Sequence, residues 1–463
     1  MRKLSLLPVV LLISAFCSNG IELEGDIIAK VGNRNITIPD VIQRIDNAAK
    51  TGVGQVKSLE QKKMVLSVLI NEKILAQVSE KQELFKLSLF TKKMNSVSKR
   101  ILTDVVLKNR VRNLVQITED DIREAYLRMN EERYVAFIRF SNEKESENYK
   151  KMLDNGVSFE DLFKKKYSKE IESESDLLRI SWNKLEKNLE DLIYNLDEGS
   201  VLRAVQTKNG IFMIKLFRVF KKNEADFNEL EKHKTYLGYL VRTRLEKLKY
   251  NELIKIYLKE NNLSINRNSL SEMGKGLQML LKPGKSNENS FFSVGQSLTR
   301  SEYDSVMTGL KESLNIVLAR YKNNQWSIGK FISELYYGSY PVNRTSIRDF
   351  SSSILSAVEN LIAEEILAVD GVKNGYDKIA GVQQILELWN DYYLSNLLIS
   401  KLKFEDKIAI ERIPEIINSY KKDYLIVIDY EKLDKIKVPE KQADIRNLPV
   451  TMYRTPPFPD LLN

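Results

Sequence analysis

The chain has 463 residues, 43% of them apolar and 29% charged, with a formal net charge of +9. That length exceeds what one compact core holds, so two or three domains are expected, and the composition is that of a folded chain, not a disordered one. Acids and bases alternate along most of the sequence, so the basic surplus reads as scattered solvated lysines, with attraction to acidic clients or an anionic membrane surface as the alternative. No dense Lys/Arg run interleaved with aromatics supports nucleic-acid binding.

The opening MRKLSLLPVVLLISAFCSNG has a basic start at Arg2 and Lys3, then the apolar stretch Leu4 to Ile13, too short to span a bilayer stably. It is read as an export signal over residues 1–20. Cys17 is the one cysteine, so no disulfide forms within the chain. Two readings of it stay open. Cys17 stands where a lipoprotein signal places its acylated residue, although Phe16 before it is bulky; alternatively, cleavage after Gly20 discards it.

Downstream, Ile27–Val31 reads as a short strand, Gly32-Asn33 as a turn, and Pro39 as the opening of a helix. Ser58-x-x-Gln61 has the capping-box pattern and starts a helix bearing Val65, Val68, Leu69, Leu75 and Ala76. Helix continues to about Val115, and Thr118 with Glu119, Asp120 and Asp121 begins another. From Tyr134 to Phe220 the character changes. YVAFIRF and GIFMIKLFRVF read as strands with amphipathic helices between them. Helix resumes near Asn228, with Leu237, Leu240, Val241, Leu245 and Leu248 on one face, and ends around Asn261-Asn262.

Residues 268–312 hold many Ser, Asn, Gly and Lys around the breaker Lys282-Pro283-Gly284, and read as a linker with some helix near its end. Beyond it, Ala319–Leu335 matches Ala29–Ile45 without a gap. LIAEEILA (Leu361–Ala368) likewise matches LINEKILA (Leu69–Ala76) at almost the same offset. Two matches at nearly constant spacing argue for a duplicated module. The acids Glu364 and Glu365 are expected on a solvated helix side. YLIVIDY near Tyr424 supplies a candidate strand. Half of the ten prolines fall after residue 438, so 431–463 is expected to be an extended Pro-rich tail.

These segments carry a resemblance. Ile27–Ile45 resembles the opening of SurA-type chaperones, and residues 134–220 resemble a parvulin peptidyl-prolyl isomerase domain. Within that domain Asn155-Gly156-Val157-Ser158-Phe159 is similar to the family's G-x-x-F, and Asp176-Leu177 with Trp182 to its G-G-D-L-G-W. Leu196, Gly199, Ser200, Thr207 and Gly210 follow its closing segment. The implied fold is mainly α and multidomain: a SurA-like helical chaperone core with an inserted α+β parvulin-like domain, plus a second related helical module. The implied domains are 21–132 (N-terminal helical), 133–221 (parvulin-like), 222–267 (helix completing the core), 268–312 (linker) and 313–430 (second module).

Departures from the family pattern bear on its chemistry. Parvulins keep a histidine in the first and last strands, where this chain has Phe137 and Phe212; the paired glycines before Asp176 are Glu174 and Ser175. His233, the one histidine, lies outside the domain. Phenyl rings neither donate, accept nor orient a proton, so no catalytic residue is assigned and isomerase activity is expected to be lost. Leu185 and Leu189 fall where the family lines its proline pocket. With Phe137 and Phe212 they form a candidate substrate-binding groove, or else plain core. No nucleotide loop, metal site or hydrolase triad can be assembled, so no cofactor or metal is expected.

The resemblance implies a periplasmic, ATP-independent chaperone for unfolded or extended polypeptides, including outer-membrane β-barrel precursors, with a membrane tether if Cys17 carries lipid. An active isomerase and a lipoprotein docking scaffold are the alternatives.

Overall fold

The computed structural model describes residues 23–437, apart from 24, 51–55, 57, 141, 186, 208–209, 223–226, 282–296, 343 and 345–346. The leader, Cys17 and the chain beyond 437 lie outside the described residues. Two compact units emerge, residues 1–108 with 253–463, and residues 109–252.

In the first unit β1 (Ile27–Val31) turns through Gly32 into β2 (Arg34–Thr37). Gly32 has φ +59°, a left-handed conformation glycine adopts without strain, and its counterpart Lys322 holds the same turn at φ +45°. After α1 (Ile38–Lys50), α2 (Leu59–Lys81) starts at the expected cap. Gln61 N donates to Ser58 Oγ at 3.2 Å, and Ser58 N to Gln61 Oε1 at 3.0 Å. Helix α2 is central: Val65, Leu66, Leu69, Ile74 and Leu75 are buried along it. Glu72 lies buried beside Arg44, which donates to it twice, at 3.0 and 2.6 Å. Burial pushes the Glu72 carboxyl up despite Arg44. A 3-10 turn, Leu84–Lys86, leads into α3 (Ser88–Arg110).

The second unit contains α4 (Glu119–Met129), β3 (Glu131–Phe140), α5 (Glu143–Asp154), α6 (Phe159–Tyr167), β4 (Leu178–Ser181), α7 (Lys187–Tyr194), β5 (Val201–Thr207) and β6 (Gly210–Lys221). Thr118 caps α4 reciprocally with Asp121, whose carboxyl is held low by the Thr118 hydroxyl and backbone N–H. The strands form one antiparallel sheet in the order β4-β3-β6-β5. Strand side chains alternate between faces. Ala136, Ile138, Phe140, Ile211 and Met213 pack with Tyr149, Phe159 and Leu162 of α5 and α6. On the other face Val135, Ile180, Ile214 and Leu216 pack with Ile193 and Tyr194 of α7. Helix α8 (Phe227–Glu260) sets Leu237 and Val241 against Ile122, Ala125 and Tyr126 of α4.

The chain re-enters the first unit at Leu253, within α8, and continues with β7 (Ser264–Ile265), α9 (Arg267–Leu280), α10 (Arg300–Gly309), β8 (Val317–Tyr321), β9 (Asn324–Ser327), α11 (Ile328–Tyr337), α12 (Ile347–Lys373), α13 (Ala380–Phe404), α14 (Ile413–Lys421), β10 (Ile426–Ile428) and α15 (Tyr430–Asp434). Three expectations need correction. The 268–312 segment is not plain linker: α9 fills its first part, capped by the Asn266 side chain and buried through Met273 and Leu277. The tail is not extended from 431, because α15 is helical and Leu433 is fully buried. Glu364 and Glu365 are not solvated. Glu365 accepts from Lys330 Nζ at 3.0 Å and from the Tyr321 hydroxyl, and Glu364 lies 3.7 Å from Arg100.

The repeat seen in the sequence is a repeat in three dimensions. Strands β1 and β8 share the same burial alternation, and each has a register irregularity at the same place, Ile27/Ala29 and Val317/Ala319. Left-handed residues Glu83 and Gly375 precede the equivalent 3-10 turns Leu84–Lys86 and Tyr376–Lys378. The two modules exchange their ends. Strand β10, at the end of the second module, pairs with β1 of the first; β7, following the first module's returning helix, pairs with β8 of the second. Likewise α13 packs on α2. Its counterpart α3 sets Leu102 and Val106 within 3.4 Å of where a Cβ on Gly371 of α12 would stand. At the equivalent crossing Ser79 Oγ donates to Leu394 O at 2.8 Å.

Candidate functional site

The candidate groove residues lie on one side of the second unit's sheet. In β3 the residues Val135, Phe137 and Arg139 share a face, and Phe137 and Arg139 register with Ile214 and Phe212 of β6. The Phe137 and Phe212 rings therefore meet edge to face, centroids 5.7 Å apart. Phe212, Leu185 and Leu189 are half-buried and pack on the same apolar cluster as Ile193, Tyr194 and Ile214. Phe137 differs: it is 38% exposed. A core phenylalanine would not leave a third of its ring in water, so this residue offers apolar surface while the other three support it.

Beneath the leucines lies a polar framework that the sequence reading missed. Glu190 of α7 is 0% exposed. Its Oε2 accepts from the backbone N–H of Lys184 and Leu185 at 3.1 and 3.3 Å, and its Oε1 accepts from Arg244 Nη1 at 2.5 Å. Glu190 thus fixes the backbone that carries Leu185. A legible signal existed: in KNLEDLIY this acid precedes Ile193 and Tyr194 by three and four residues, on the apolar stripe. Arg133 donates to Ile193 O and Leu196 O at 3.3 and 2.8 Å and sits 5.0 Å from the Tyr194 ring centroid. Burial raises the Tyr194 hydroxyl far above its ordinary value.

Asp191 pairs with Lys187 one turn earlier in α7 and, at 2.5 Å, with Arg128 of α4. Burial works to raise its carboxyl, but these two hydrogen bonds outweigh it and hold the group below the usual carboxylate range. A lowered folded-state value stabilises above the unfolded value and is lost as pH falls through the folded one. Asp191→Asn is therefore expected to weaken this unit at neutral pH and to flatten its loss of stability below about pH 4. Acid titration followed through Trp182, with Trp326 and Trp389 changed to Phe, reads this; an unchanged acid limb would contradict the assignment.

His233, the chain's single histidine, is exposed on α8. No cluster of metal-ligating side chains occurs among the described residues. A separate polar cleft of about 380 Å³ opens in the first unit between Arg34, Asp40, Lys73, Gln384 and Glu387, where α2 meets α13. Its charges are largely answered within the protein: Lys73 by Glu387 and Asp391, Arg34 by Glu80 and Asp391. Among the described residues no helix is long and apolar enough to cross a membrane.

The chain is similar to the PrsA foldases. It is 26% identical over 163 residues to the foldase protein PrsA of Oceanobacillus iheyensis, covering 34% of this chain and 54% of that protein. Against PrsA of Geobacillus sp. it is 22% identical over 278 residues, 56% of this chain and 94% of that protein. Against PrsA 2 of Bacillus anthracis it is 28% identical over 164 residues, 34% of this chain and 53% of that protein. The chain thus spans about half the length of two of these three relatives. Solved structures with similarity include the Bacillus anthracis peptidylprolyl isomerase PrsA (20% identity, 50% of this chain and 92% of that one, TM-score 0.22). Another is a Campylobacter jejuni protein described as a SurA-like chaperone (19% identity, 55% and 97%, TM-score 0.20). No protein-family model matches the chain.

Proposed function

We propose that this protein is an extracytoplasmic, ATP-independent chaperone that holds unfolded exported polypeptides, and that its second unit is a parvulin-like lobe that binds extended peptide without isomerising it. The observation that carries this reading is the Phe137–Phe212 pair, one ring exposed, on the sheet face where a proton-handling pair would be needed. Rotation about a peptide bond meets a barrier of about 18–20 kcal/mol, and apolar rings stabilise none of the charge shift that lowers it. They do offer an apolar surface to a chain rich in aromatic and proline residues. Similarity to the PrsA foldases supports the chaperone reading; outer-membrane precursors are its proposed clients, and a lipid on Cys17 its proposed tether.

Two measurements on the full chain test this. A proline-containing tetrapeptide is expected to isomerise no faster with the protein than without it, and clear turnover would overturn the inactive-lobe reading. Denatured porin is expected to stay soluble at near-stoichiometric protein, and Phe137→Ala to weaken binding of an aromatic peptide about five- to tenfold, the roughly 1–1.4 kcal/mol of one aromatic contact. Unchanged affinity would remove the groove. No suppression of aggregation, with one tight partner recovered instead, would favour a docking scaffold.

A further inference from the structure

The two modules of the first unit are alike in backbone but opposite in charge where each receives the other's helix. Aligning β1-β2-α1 with β8-β9-α11, and α2-α3 with α12-α13, places Asp40 against Lys330, Arg44 against Glu334, Lys73 against Glu365, and Asp391 against Lys99. At all four positions the sign is reversed. The contacts follow. Lys73 of α2 meets Asp391 of α13 at 2.7 Å, both side chains at most 3% exposed. The equivalent pair has Glu365 of α12 lying 3.8 Å from Lys99 of α3, which also meets Glu334 at 2.7 Å. Arg34, whose counterpart is Asn324, adds a further cation to Asp391.

We propose that this reversal selects the exchanged arrangement, so that each module accepts the other's helical arm and rejects its own. Were α3 to close on α2 of its own module, Lys99 would enter a site where Arg34, Arg44 and Lys73 outnumber Asp40 and Glu72. Were α13 to close on α12, Asp391 would enter a site where Glu334, Glu364 and Glu365 outnumber Lys330. Some equivalent arm positions pack alike, Leu102 with Leu394 and Thr103 with Ser395, whereas Ser96 with Leu388 and Val97 with Trp389 differ in volume, so shape contributes to the choice alongside charge. Charge distinguishes them further, since like charges repel where water is scarce: Lys73 and Asp391 are at most 3% exposed, and Lys99, Glu334 and Glu365 are part-buried. A duplicated module thereby folds as an interlocked pair within one chain and does not self-close or cross-pair with a second copy through the wrong arm.

The test gives both modules the same charges while keeping every exchanged pair attractive. In a Cys17→Ser background, Lys330→Asp, Glu334→Arg and Glu365→Lys give the second module the first module's receiving charges, and Lys99→Asp gives α3 the charge that Asp391 gives α13. Gln82 and Lys401 touch at 2.8 Å on the surface, so cysteines at 82 and 401 joined by a short thiol cross-linker report the exchanged arm. Cysteines at 82 and 109, the equivalent of 401, report self-closure. After refolding, the native charges are expected to give the 82–401 product alone. The four-residue variant is expected to raise the 82–109 or interchain product from background to a comparable yield. If the variant refolds with the 82–401 product alone, the charges are ordinary ion pairs and the proposal fails. Should the variant not refold, the single change Lys99→Asp is made with each cysteine pair, giving α3 the sign that Arg44 and Lys73 attract and Glu334 and Glu365 repel. Appearance of the 82–109 product supports the proposal, and the 82–401 product alone overturns it.

Discussion

A chain ending at Asp423 is expected to lose the amino-terminal module, whereas one ending at Lys437 keeps it. The segment between supplies β10, which pairs Ile428, Val427 and Ile426 with Ala29, Lys30 and Val31, and α15, whose Leu433 is fully buried in the first module's core. Asp429 N donates to Ile28 O at 2.8 Å, Gly32 N to Leu425 O at 2.9 Å, and Lys62 Nζ to Asp434 O at 2.7 Å. Losing the burial that Val427, Leu433 and Ile436 provide forfeits about 1.5–3 kcal/mol each, and β1 becomes a bare edge with unpaired backbone groups. Against a total stability of about 5–15 kcal/mol this is enough to open the module. Hydrogen exchange is the measurement. Amides of residues 28–31 are expected to lose protection by orders of magnitude in the shorter chain, while residues 318–321, paired with β7 and β9, keep theirs for longer. Equal protection in the two truncations would show that the C-terminal strand is an ornament.

This prediction also marks where sequence reading stops. The duplication was legible because Ala29, Asn33, Ile38 and Ile42 recur at a fixed offset as Ala319, Asn323, Ile328 and Ile332. Likeness between modules says nothing about which arm lies on which, since it marks the two arms as equivalent without recording their partners. The strand in YLIVIDY was visible; its partner was not, because a three-residue β-run carries no record of the strand some 400 residues earlier that it pairs with. Helix α9 was obscured by composition. Ser, Asn, Gly and Lys suit loops, but Asn266 caps the helix and Met273 and Leu277 bury its apolar stripe, so packing overrides propensity. Glu364 and Glu365 looked solvated because pattern alone cannot see that α3, Tyr321 and Lys330 cover that side of α12.

The candidate groove was legible as residue types, since the phenylalanines stand where the resemblance places histidines, but what holds it in shape was not. Glu190→Ala is expected to destabilise the second unit by about 3–5 kcal/mol, the range for stripping one partner from a buried ion pair. Arg244 would stay 10% exposed with no carboxylate to meet it, and the N–H groups of Lys184 and Leu185 would lose their acceptor. Glu190→Gln keeps an acceptor for those N–H groups but not the charge, so its loss is expected to be smaller. The paired change Glu190→Leu with Arg244→Met removes both charges and is expected to recover much of the stability, because two desolvation costs disappear together. Peptide binding separates positioning from stability. If Glu190 serves the groove by fixing the backbone of Leu185, the paired variant refolds with restored melting temperature yet binds aromatic peptide weakly. Restored melting together with full affinity would instead make Glu190 a plain structural acid. The groove would then rest on the two phenyl rings alone, whose edge-to-face contact depends only on the β3–β6 register.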